Sequence, residues 1–232
     1  MRLAIVAIVL SGCACGAPRT AIPEASATHF VTPPSLDGDL SEWAAVPRTE
    51  AFVGTMDGTS GSPEAYARFG WDAQFFYVAF EIGDPWLVSH GEHLDDHLWE
   101  EDCAEIMVDP DGDGLAYTEM QVSPRNVVFD TRYDSRRQPQ PFGHVDWSSH
   151  LEARVVTHGE VNDDEGDDGY VVELRIPWSA FDVPAPHPRD TWRVALYALD
   201  TRESGPWASG WSPPLEGDFH VPARFGRVTF RE

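Results

Sequence analysis

Between residues 97 and 126 the chain carries several side chains that could bind a polar ligand together. Glu105, Glu119 and Gln121 supply hydrogen-bond acceptors, and Trp99 supplies an apolar ring a few residues earlier. If the runs around the intervening acidic segment form a hairpin, these acceptors share one outward face with Trp99 at its entrance. Acceptors beside an exposed aromatic ring are the chemistry that a sugar-binding surface requires.

Alternation with a period of two predicts this hairpin. Ala104, Ile106 and Val108 share one apolar face of the first run, and Met120 and Val122 do the same on the second. The acidic segment between the runs is rich in Asp and Gly, which are the residues that tight turns favour. We therefore expect two antiparallel strands with one apolar and one polar face.

The expected register also allows an enzymatic interpretation. A turn that closes near residues 111 and 112 places Glu105 opposite Glu119 and Cys103 opposite Gln121, with Cβ atoms roughly 4.5–5.5 Å apart. Retaining glycosidases use two carboxyl groups about 5–5.5 Å apart, one as acid and one as nucleophile. A hydrolase that uses Glu105 and Glu119 is thus the alternative to a binding protein.

The turn itself could hold a cation. Asp109, Asp111 and Asp113, followed by Gly114, have the oxygen spacing of a calcium loop. The Glu expected at the twelfth position of such a loop is replaced by Met120. A plain turn stabilised by Asp and Gly explains the same pattern and is the interpretation we favour. Calcium therefore remains a weak prediction for these three carboxylates.

Charge excludes one class of partner. The formal net charge of the 232 residues is -23, and every basic residue is an arginine. A field of this sign repels phosphate groups, so nucleic acid is not an expected partner. Neutral ligands and cations are compatible with it.

The first residues resemble an export signal. A short apolar run from Leu3 to Leu10 precedes Ser11-Gly12-Cys13, and such a run is too short to span a bilayer. Leu10-Ser11-Gly12-Cys13 resembles the bacterial lipobox, in which the Cys is lipidated, although a secretory peptide cut near Ala17 is the alternative. We expect residues 1–13 to be a lipoprotein signal peptide and residues 14–28 a flexible tether. The protein would then be an exported lipoprotein anchored in the outer membrane through Cys13.

From residue 29 onward, short alternating runs and turn signals follow each other without a break. Phe76, Val78, Phe80 and Ile82, for example, form one apolar face of a run. Many short strands at this spacing predict an all-β fold, a two-sheet antiparallel β-sandwich of jelly-roll or immunoglobulin-like type with short helical turns. Neither an internal repeat nor a second domain is visible, so residues 29–232 are expected to form one domain.

Several short motifs follow one another over nearly all of residues 30–232. They are Leu36-Asp37-Gly38-Asp39-Leu40-Ser41-Glu42-Trp43, Gly70-Trp71-Asp72-Ala73-Gln74-Phe75-Phe76-Tyr77-Val78, Asp84-Pro85, Leu98-Trp99-Glu100-Glu101-Asp102-Cys103-Ala104-Glu105, Gly169-Tyr170-Val171-Val172-Glu173, Pro177-Trp178 and Arg224-Phe225-Gly226. No single motif is specific, but their order resembles that of the family 9 carbohydrate-binding modules. The resemblance implies a β-sandwich that holds sugars between two Trp rings and carries calcium.

The same resemblance implies site residues. Trp99 matches the first sandwich Trp of the family and Glu105 its site carboxylate, while Phe219 stands where the second Trp is expected. The family's site Arg and Asn fall at Gln121 and Ser123, and a further Gln falls at Tyr197. Because three hydrogen-bonding positions differ, the identity of the sugar does not transfer. The expected carbohydrate-binding set is Trp99, Glu105, Glu119, Gln121, Ser123, Tyr197, Phe219 and Arg224.

The leading expectation is therefore carbohydrate binding without catalysis, in the service of glycan capture or breakdown. Small sandwiches of this family resemble binders rather than hydrolases, which argues against the paired-glutamate enzyme. A third possibility is haem, because related sandwiches bind it through Met and His. The mature chain offers only Met56, Met107 and Met120, with no evident Met/His pair, so haem ranks last.

Overall fold

The computed structural model describes residues 17–163, 166–202 and 205–232. The predicted signal peptide and its Cys13 lie outside these ranges. No helix within them is long and apolar enough to cross a membrane. The described helices are short 3-10 turns at Leu40–Trp43, Leu98–Glu100, Trp178–Ala180 and Pro222–Arg224. The strands are β1 (Glu24–His29), β2 (Val53–Gly54), β3 (Glu64–Trp71), β4 (Phe75–Gly83), β5 (Cys103–Asp109), β6 (Tyr117–Val122), β7 (Val128–Tyr133), β8 (Glu152–His158), β9 (Gly169–Pro177), β10 (Thr191–Arg202), β11 (Gly205–Gly210) and β12 (Gly226–Arg231).

The strands follow one continuous hydrogen-bonded path, β7-β6-β5-β10-β12-β1-β3-β4-β9-β8; outside this path, β11 pairs with β10, and β2 pairs with β11. The path folds over so that its two halves face each other, which confirms the expected all-β sandwich with short helical turns. Pairing is antiparallel except at β1, which runs parallel to both β12 and β3. β1 is therefore the strand that joins the two layers.

The position of β1 corrects the predicted domain boundary. The sequence suggested a flexible tether over residues 14–28, but residues 24–28 are part of β1. Ala27 of this strand is fully buried in the core. An Ala/Pro/Ser-rich composition suggested a linker, but small residues also suit a strand packed between two neighbours.

The apolar faces predicted from the alternation form the main core, which lies between the two layers. Phe76, Val78, Phe80 and Ile82 of β4 form one buried face, as expected. The facing layer contributes Ala104, Ile106 and Val108 of β5 and Met120 and Val122 of β6, together with residues of β10 and β12. Both predicted apolar faces of the hairpin are thus confirmed.

The opposite face of β5, β6, β7 and β10 is covered too. Cys103, Met107, Phe129 and Tyr197 belong to a second cluster of buried residues on this face. The sequence predicted an outward polar face here, whereas loops and the 3-10 turn at Leu98–Glu100 close over it. The polar side chains of this face therefore lie in a buried or half-buried environment.

A buried carboxylate fixes the early motif at residues 36–43. Glu173 of β9 accepts hydrogen bonds from the Trp43 indole at 2.8 Å and from the backbone amides of Asp37 and Gly38. Gly38 has a φ of +85°, and a Cβ atom there would lie 2.2 Å from a methyl group of Val156. Glycine is therefore required at position 38 for two reasons, the positive φ of the turn and its close packing on Val156 of β8.

Candidate functional site

A cavity of about 740 Å³ opens on the face of β5, β6, β7 and β10 that lies away from the main core. Its floor is formed by strand residues, and its rim by the loop after β2 and by β11. Cavities of this size are in the range that holds small ligands. Besides the loop residues between Gly54 and Ser62, the lining residues are Trp99, Glu105, Met107, Glu119, Gln121, Phe129, Tyr133, Arg137, Phe142, Leu199, Trp207, Ala208, Gly217, Phe219 and His220.

Glu105, Glu119 and Gln121, which we call the carboxylate–amide triad, lie together on the cavity floor. The side-chain amide of Gln121 donates to Glu105 Oε2 and to Glu119 Oε1, each at 2.8 Å. The three side chains are 2%, 4% and 1% exposed. The sequence predicted that these residues share a face, and the structure brings them together there.

The predicted register of the hairpin is wrong by two residues. Glu105 pairs with Gln121, and Glu119 pairs with Met107, so that the two glutamates lie diagonally. The connection between β5 and β6 spans residues 110–116 and is longer than a tight turn. A shift of two residues keeps every side chain on its predicted face, because the side-chain period of a strand is two.

Burial controls the charge of the triad. Desolvation, and then repulsion from Glu119, raises the pKa of Glu105 well above its usual value. Desolvation also raises the pKa of Glu119 to about 7, although hydrogen bonds from Tyr133 and Gln121 offset part of the effect. The pair therefore holds a proton near neutral pH. Of the triad's buried oxygens, Glu105 Oε1, Glu119 Oε2 and Gln121 Oε1 have no hydrogen-bond partner among the described residues.

His220 is a neutral ring beside the triad. Its Nδ1 lies 2.7 Å from the Tyr117 hydroxyl, which accepts a hydrogen bond from the Arg137 amide. Burial, reinforced by the charge of Arg137, lowers the pKa of His220 to about 4. Its Nε2 lies 3.7 Å from Glu119 Oε2, so the ring adds no positive charge to the triad near neutral pH.

Aromatic side chains form one wall of the cavity. Trp99 packs edge-on against Phe129 at 5.1 Å between ring centroids and lies 4.9 Å from Phe142. The Thr131 hydroxyl holds the Phe142 carbonyl at 2.8 Å. At the next residue, Gly143, a Cβ atom would lie 2.5 Å from that hydroxyl oxygen. We call Trp99, Phe129 and Phe142 the aromatic wall; Trp99 is half-buried in it rather than freely exposed.

Two further rings border the cavity. Phe219 is half-buried and stacks on the buried Tyr197 at 4.4 Å between centroids. Trp207 of β11 is 50% exposed and lies at the rim. The sequence pointed to Phe219 but not to Trp207.

Three predicted site residues do not line the cavity. Ser123 is fully buried and accepts a hydrogen bond from the Val127 amide in the β6–β7 turn. Tyr197 lies beneath Phe219 and donates to the Phe219 carbonyl at 3.3 Å. Arg224 donates to backbone carbonyls of Pro213 and Thr20, away from the cavity. Ser123 and Arg224 support the backbone, and Tyr197 supports a ring that does line the site.

Sequence reasoning missed several cavity residues because they come from distant segments. Arg137 and Phe142 belong to the connection between β7 and β8, which looked irregular. His220 lies beside Phe219, and that adjacency was the one available signal for it. Trp207 lies among small residues, and a large ring in such surroundings is the signal that could have identified it.

Two groups of carboxylates are candidate ligands for the calcium that the family resemblance implies. In the loop between β5 and β6, Asp109 accepts hydrogen bonds from the amides of Gly112 and Gly114, and Asp111 and Asp113 accept from amides two residues onward. These contacts are those of the plain turn favoured from the sequence. The calcium prediction for this loop remains a prediction.

Asp84, Asp102 and Asp200 fit a cation better. They are 2%, 0% and 2% exposed, and one oxygen of each lies within 4.8 Å of the others. Burial, and then repulsion from Asp84, raises the pKa of Asp102 to about 8. Three buried carboxylates are a set of hard oxygen donors of the kind that calcium prefers, so these are the residues that would hold it. Bound calcium would offset their mutual repulsion and tie β10 to the loops after β4 and before β5.

Comparison with known proteins gives one family. A family model described as carbohydrate family 9 binding domain-like matches residues 36–232. A search of curated proteins gives no match.

Three solved structures share the fold. A Bacteroides uniformis protein described as a candidate carbohydrate-binding protein has a TM-score of 0.76 and 18% identity, covering 91% of this chain and all of that one. A family 9 module from Caldicellulosiruptor kristjanssonii in complex with cellotriose has a TM-score of 0.62 and 18% identity, covering 90% and 93%. The module from that organism in complex with glucose has a TM-score of 0.62 and 19% identity, covering 90% and 94%. Because the family model extends over most of the chain, the chain belongs to the carbohydrate family 9 binding domain-like family.

Proposed function

We propose that the cavity binds a carbohydrate without transforming it. The observation that carries the proposal is the meeting of the aromatic wall with the carboxylate–amide triad in one cavity of about 740 Å³. The C–H face of a pyranose ring is apolar and complements an aromatic face. Its hydroxyl groups are donors, and the triad has buried oxygens for which the described part of the chain supplies no hydrogen-bond partner. Two of the similar structures are complexes with cellotriose and glucose, which supports the same ligand class here.

Hydrolysis is a weaker interpretation of the same residues. A retaining mechanism places the sugar between two carboxyl groups. Here the Gln121 amide lies between Glu105 and Glu119 and donates to both, so the space that the reacting bond would need is filled. Release of reducing sugar from a glycan that the protein binds would support the enzyme instead.

The binding proposal can be tested with two matched tryptophans. Trp207 lines the cavity and is 50% exposed, whereas Trp86 is 55% exposed and does not line it. After a glycan-array screen identifies a ligand, titration of Trp207→Ala should show an affinity about 10- to 100-fold weaker, as expected for the loss of a large apolar contact. Trp86→Ala should bind like the unaltered protein. Equal effects of the two substitutions, or the absence of any bound glycan, would contradict the proposal.

We further propose that the protein is an exported lipoprotein of the outer membrane that captures glycans at the cell envelope. The support is the tetrapeptide Leu10-Ser11-Gly12-Cys13. Metabolic labelling with a fatty acid should modify the unaltered protein but not Cys13→Ala. Equal labelling of both would show that Cys13 is not the lipidated residue.

A further inference from the structure

The polar floor of the cavity offers acceptors and few donors. Both N–H groups of the Gln121 amide are used by Glu105 and Glu119. Among the described residues, Glu105 Oε1, Glu119 Oε2 and Gln121 Oε1 find no hydrogen-bond partner. Buried acceptors without a partner are costly, so a ligand that fits this floor must bring donors.

The charges around the floor are mostly negative. Glu105, Glu119 and Asp57 line the cavity, and among the described residues the one cationic lining residue is Arg137. Arg137 is paired with Asp218 at 2.8 Å. His220 is neutral near pH 7, because burial lowers its pKa to about 4. The other titratable groups that act on the triad are Tyr133, which donates a hydrogen bond to Glu119, and Asp218. Burial, and to a lesser extent the carboxylates, in turn raise the pKa of Tyr117, Tyr197 and Cys103. None of these groups is cationic.

A neutral sugar carries no positive charge that could compensate the buried carboxylates. Two carboxyl groups joined by one amide and removed from water are stable in the charged form only beside a compensating cation. A primary ammonium group carries a positive charge and three N–H donors, and the floor residues hold three buried acceptor oxygens for which the described residues supply no hydrogen-bond partner. The ligand class that combines an apolar ring face for the aromatic wall with such a group is an amino sugar.

We propose that the cavity prefers amino sugars, hexoses with a protonated amine, and that Glu105 and Glu119 bind the ammonium group. This specificity rests on the proposed carbohydrate function, because the aromatic wall must still bind the ring. The triad then acts as the specificity determinant and Gln121 as the residue that positions both carboxylates. The strongly negative net charge of -23 favours the approach of a cationic glycan.

Three trisaccharides with the same sugar backbone separate the contribution of the charged amine from that of the sugar ring. Cellotriose, the β-1,4-linked trimer of glucosamine and its fully N-acetylated form differ only in the substituent at C2: hydroxyl, ammonium or acetamide. Calorimetric titration of the whole protein at about pH 6, where the amine is charged, should give an affinity about 10- to 100-fold higher for the glucosamine trimer than for the other two. Binding of that trimer should also release a proton, because the triad holds one near neutral pH. The heat should therefore depend on the ionisation enthalpy of the buffer.

Glu105→Gln should bring the affinity ratio between the glucosamine trimer and cellotriose close to one. Spermidine, which has amines but no sugar ring, controls for general attraction of cations and should bind far more weakly than the glucosamine trimer. If Glu105→Gln fails to fold, the three-ligand comparison on the unaltered protein decides alone.

Equal binding of the three trimers, or preference for cellotriose, would overturn the amino-sugar specificity and leave carbohydrate binding intact. Binding of spermidine as tightly as the glucosamine trimer would overturn it too. Failure of all three trimers to bind would overturn this specificity together with the proposed binding of β-1,4-linked sugars, and a wider glycan array would then test the parent proposal.

Discussion

Glu105 and Gln121 are directly opposed across β5 and β6, and the amide of Gln121 holds Glu105 Oε2 at 2.8 Å. The same amide holds Glu119, so one neutral side chain organises two buried acids. The arrangement has a measurable consequence for stability as a function of pH.

We expect the triad's contribution to the free energy of unfolding to fall as the pH rises from about 4.5 to 7. Burial raises the pKa of Glu119 from its usual 4.5 to about 7, and that of Glu105 also rises. The folded state then binds more protons than the unfolded one, so this contribution is complete below pH 4.5 and is lost as the pH passes through the folded pKa. His220 works in the opposite direction, because its pKa is lowered from 6.5 to about 4 on folding and the unfolded state binds the extra proton between those values.

Urea unfolding at several pH values measures the slope. Because other buried acids also titrate, the comparison should be made with Glu119→Gln, which removes one titrating group and should flatten the decline. An identical slope in the two proteins would show that Glu119 does not bind the extra proton of the folded state.

Trp99→Ala should weaken glycan binding by roughly 10- to 100-fold and lower the free energy of unfolding by about 1–3 kcal/mol. The stability cost should be smaller than the roughly 3–5 kcal/mol of a fully buried ring, because Trp99 is only half-buried against Phe129 and Phe142. Trp99→Phe, which keeps a ring, should recover most of both losses. Undiminished binding by Trp99→Ala would remove Trp99 from the site.

Calcium should raise the melting temperature, and a chelator should lower it. A ligand at a hundred times its Kd that binds only the folded state stabilises by about 2.7 kcal/mol, or roughly 5–10 °C for a chain of this length. Asp84→Asn should abolish the response, while Asp111→Asn in the exposed β5–β6 loop should preserve it. The reverse result would place the ion in that loop, and a protein indifferent to chelation would have no calcium at either.

Glu173→Ala should lower the free energy of unfolding by about 3 kcal/mol or more, because it leaves the fully buried Trp43 indole and two backbone amides without their acceptor. Glu152→Ala on the neighbouring strand is the control. Glu152 is 56% exposed and pairs with Arg175 at the surface, and its loss should cost less than about 1 kcal/mol. Similar urea midpoints for both variants would contradict the role assigned to Glu173.

The faces of the strands were predictable, because alternation is a local property of the sequence. The apolar alternation of β4, β5 and β6 predicted the core, and the polar alternation predicted that Glu105, Glu119 and Gln121 lie together. The partner of each residue was not predictable, because register depends on the length of the connection between β5 and β6. An error of two residues leaves the faces unchanged but changes the pairs. The predicted pair was Glu105 opposite Glu119, whereas in the structure Glu105 lies opposite Gln121 and accepts a hydrogen bond from its amide.

The burial of the site was not predictable either. An alternating strand with one polar face looks the same whether water or a loop covers that face. Arg137, Phe142, Trp207 and His220 reach the cavity from three segments that are far apart in the chain. The convergence of Asp84, Asp102 and Asp200 likewise depends on long-range pairing, of β10 with β5, which no local pattern encodes.

The parallel placement of β1 between β12 and β3 has a mechanical consequence. A pull along the axis of β1 would shear the hydrogen bonds to both neighbours together instead of opening them one after another. Shear loading spreads force over every bond in the ladder, whereas peeling concentrates it on the outermost one. A force applied in that direction to the chain before Glu24 would therefore meet the combined resistance of two hydrogen-bond ladders.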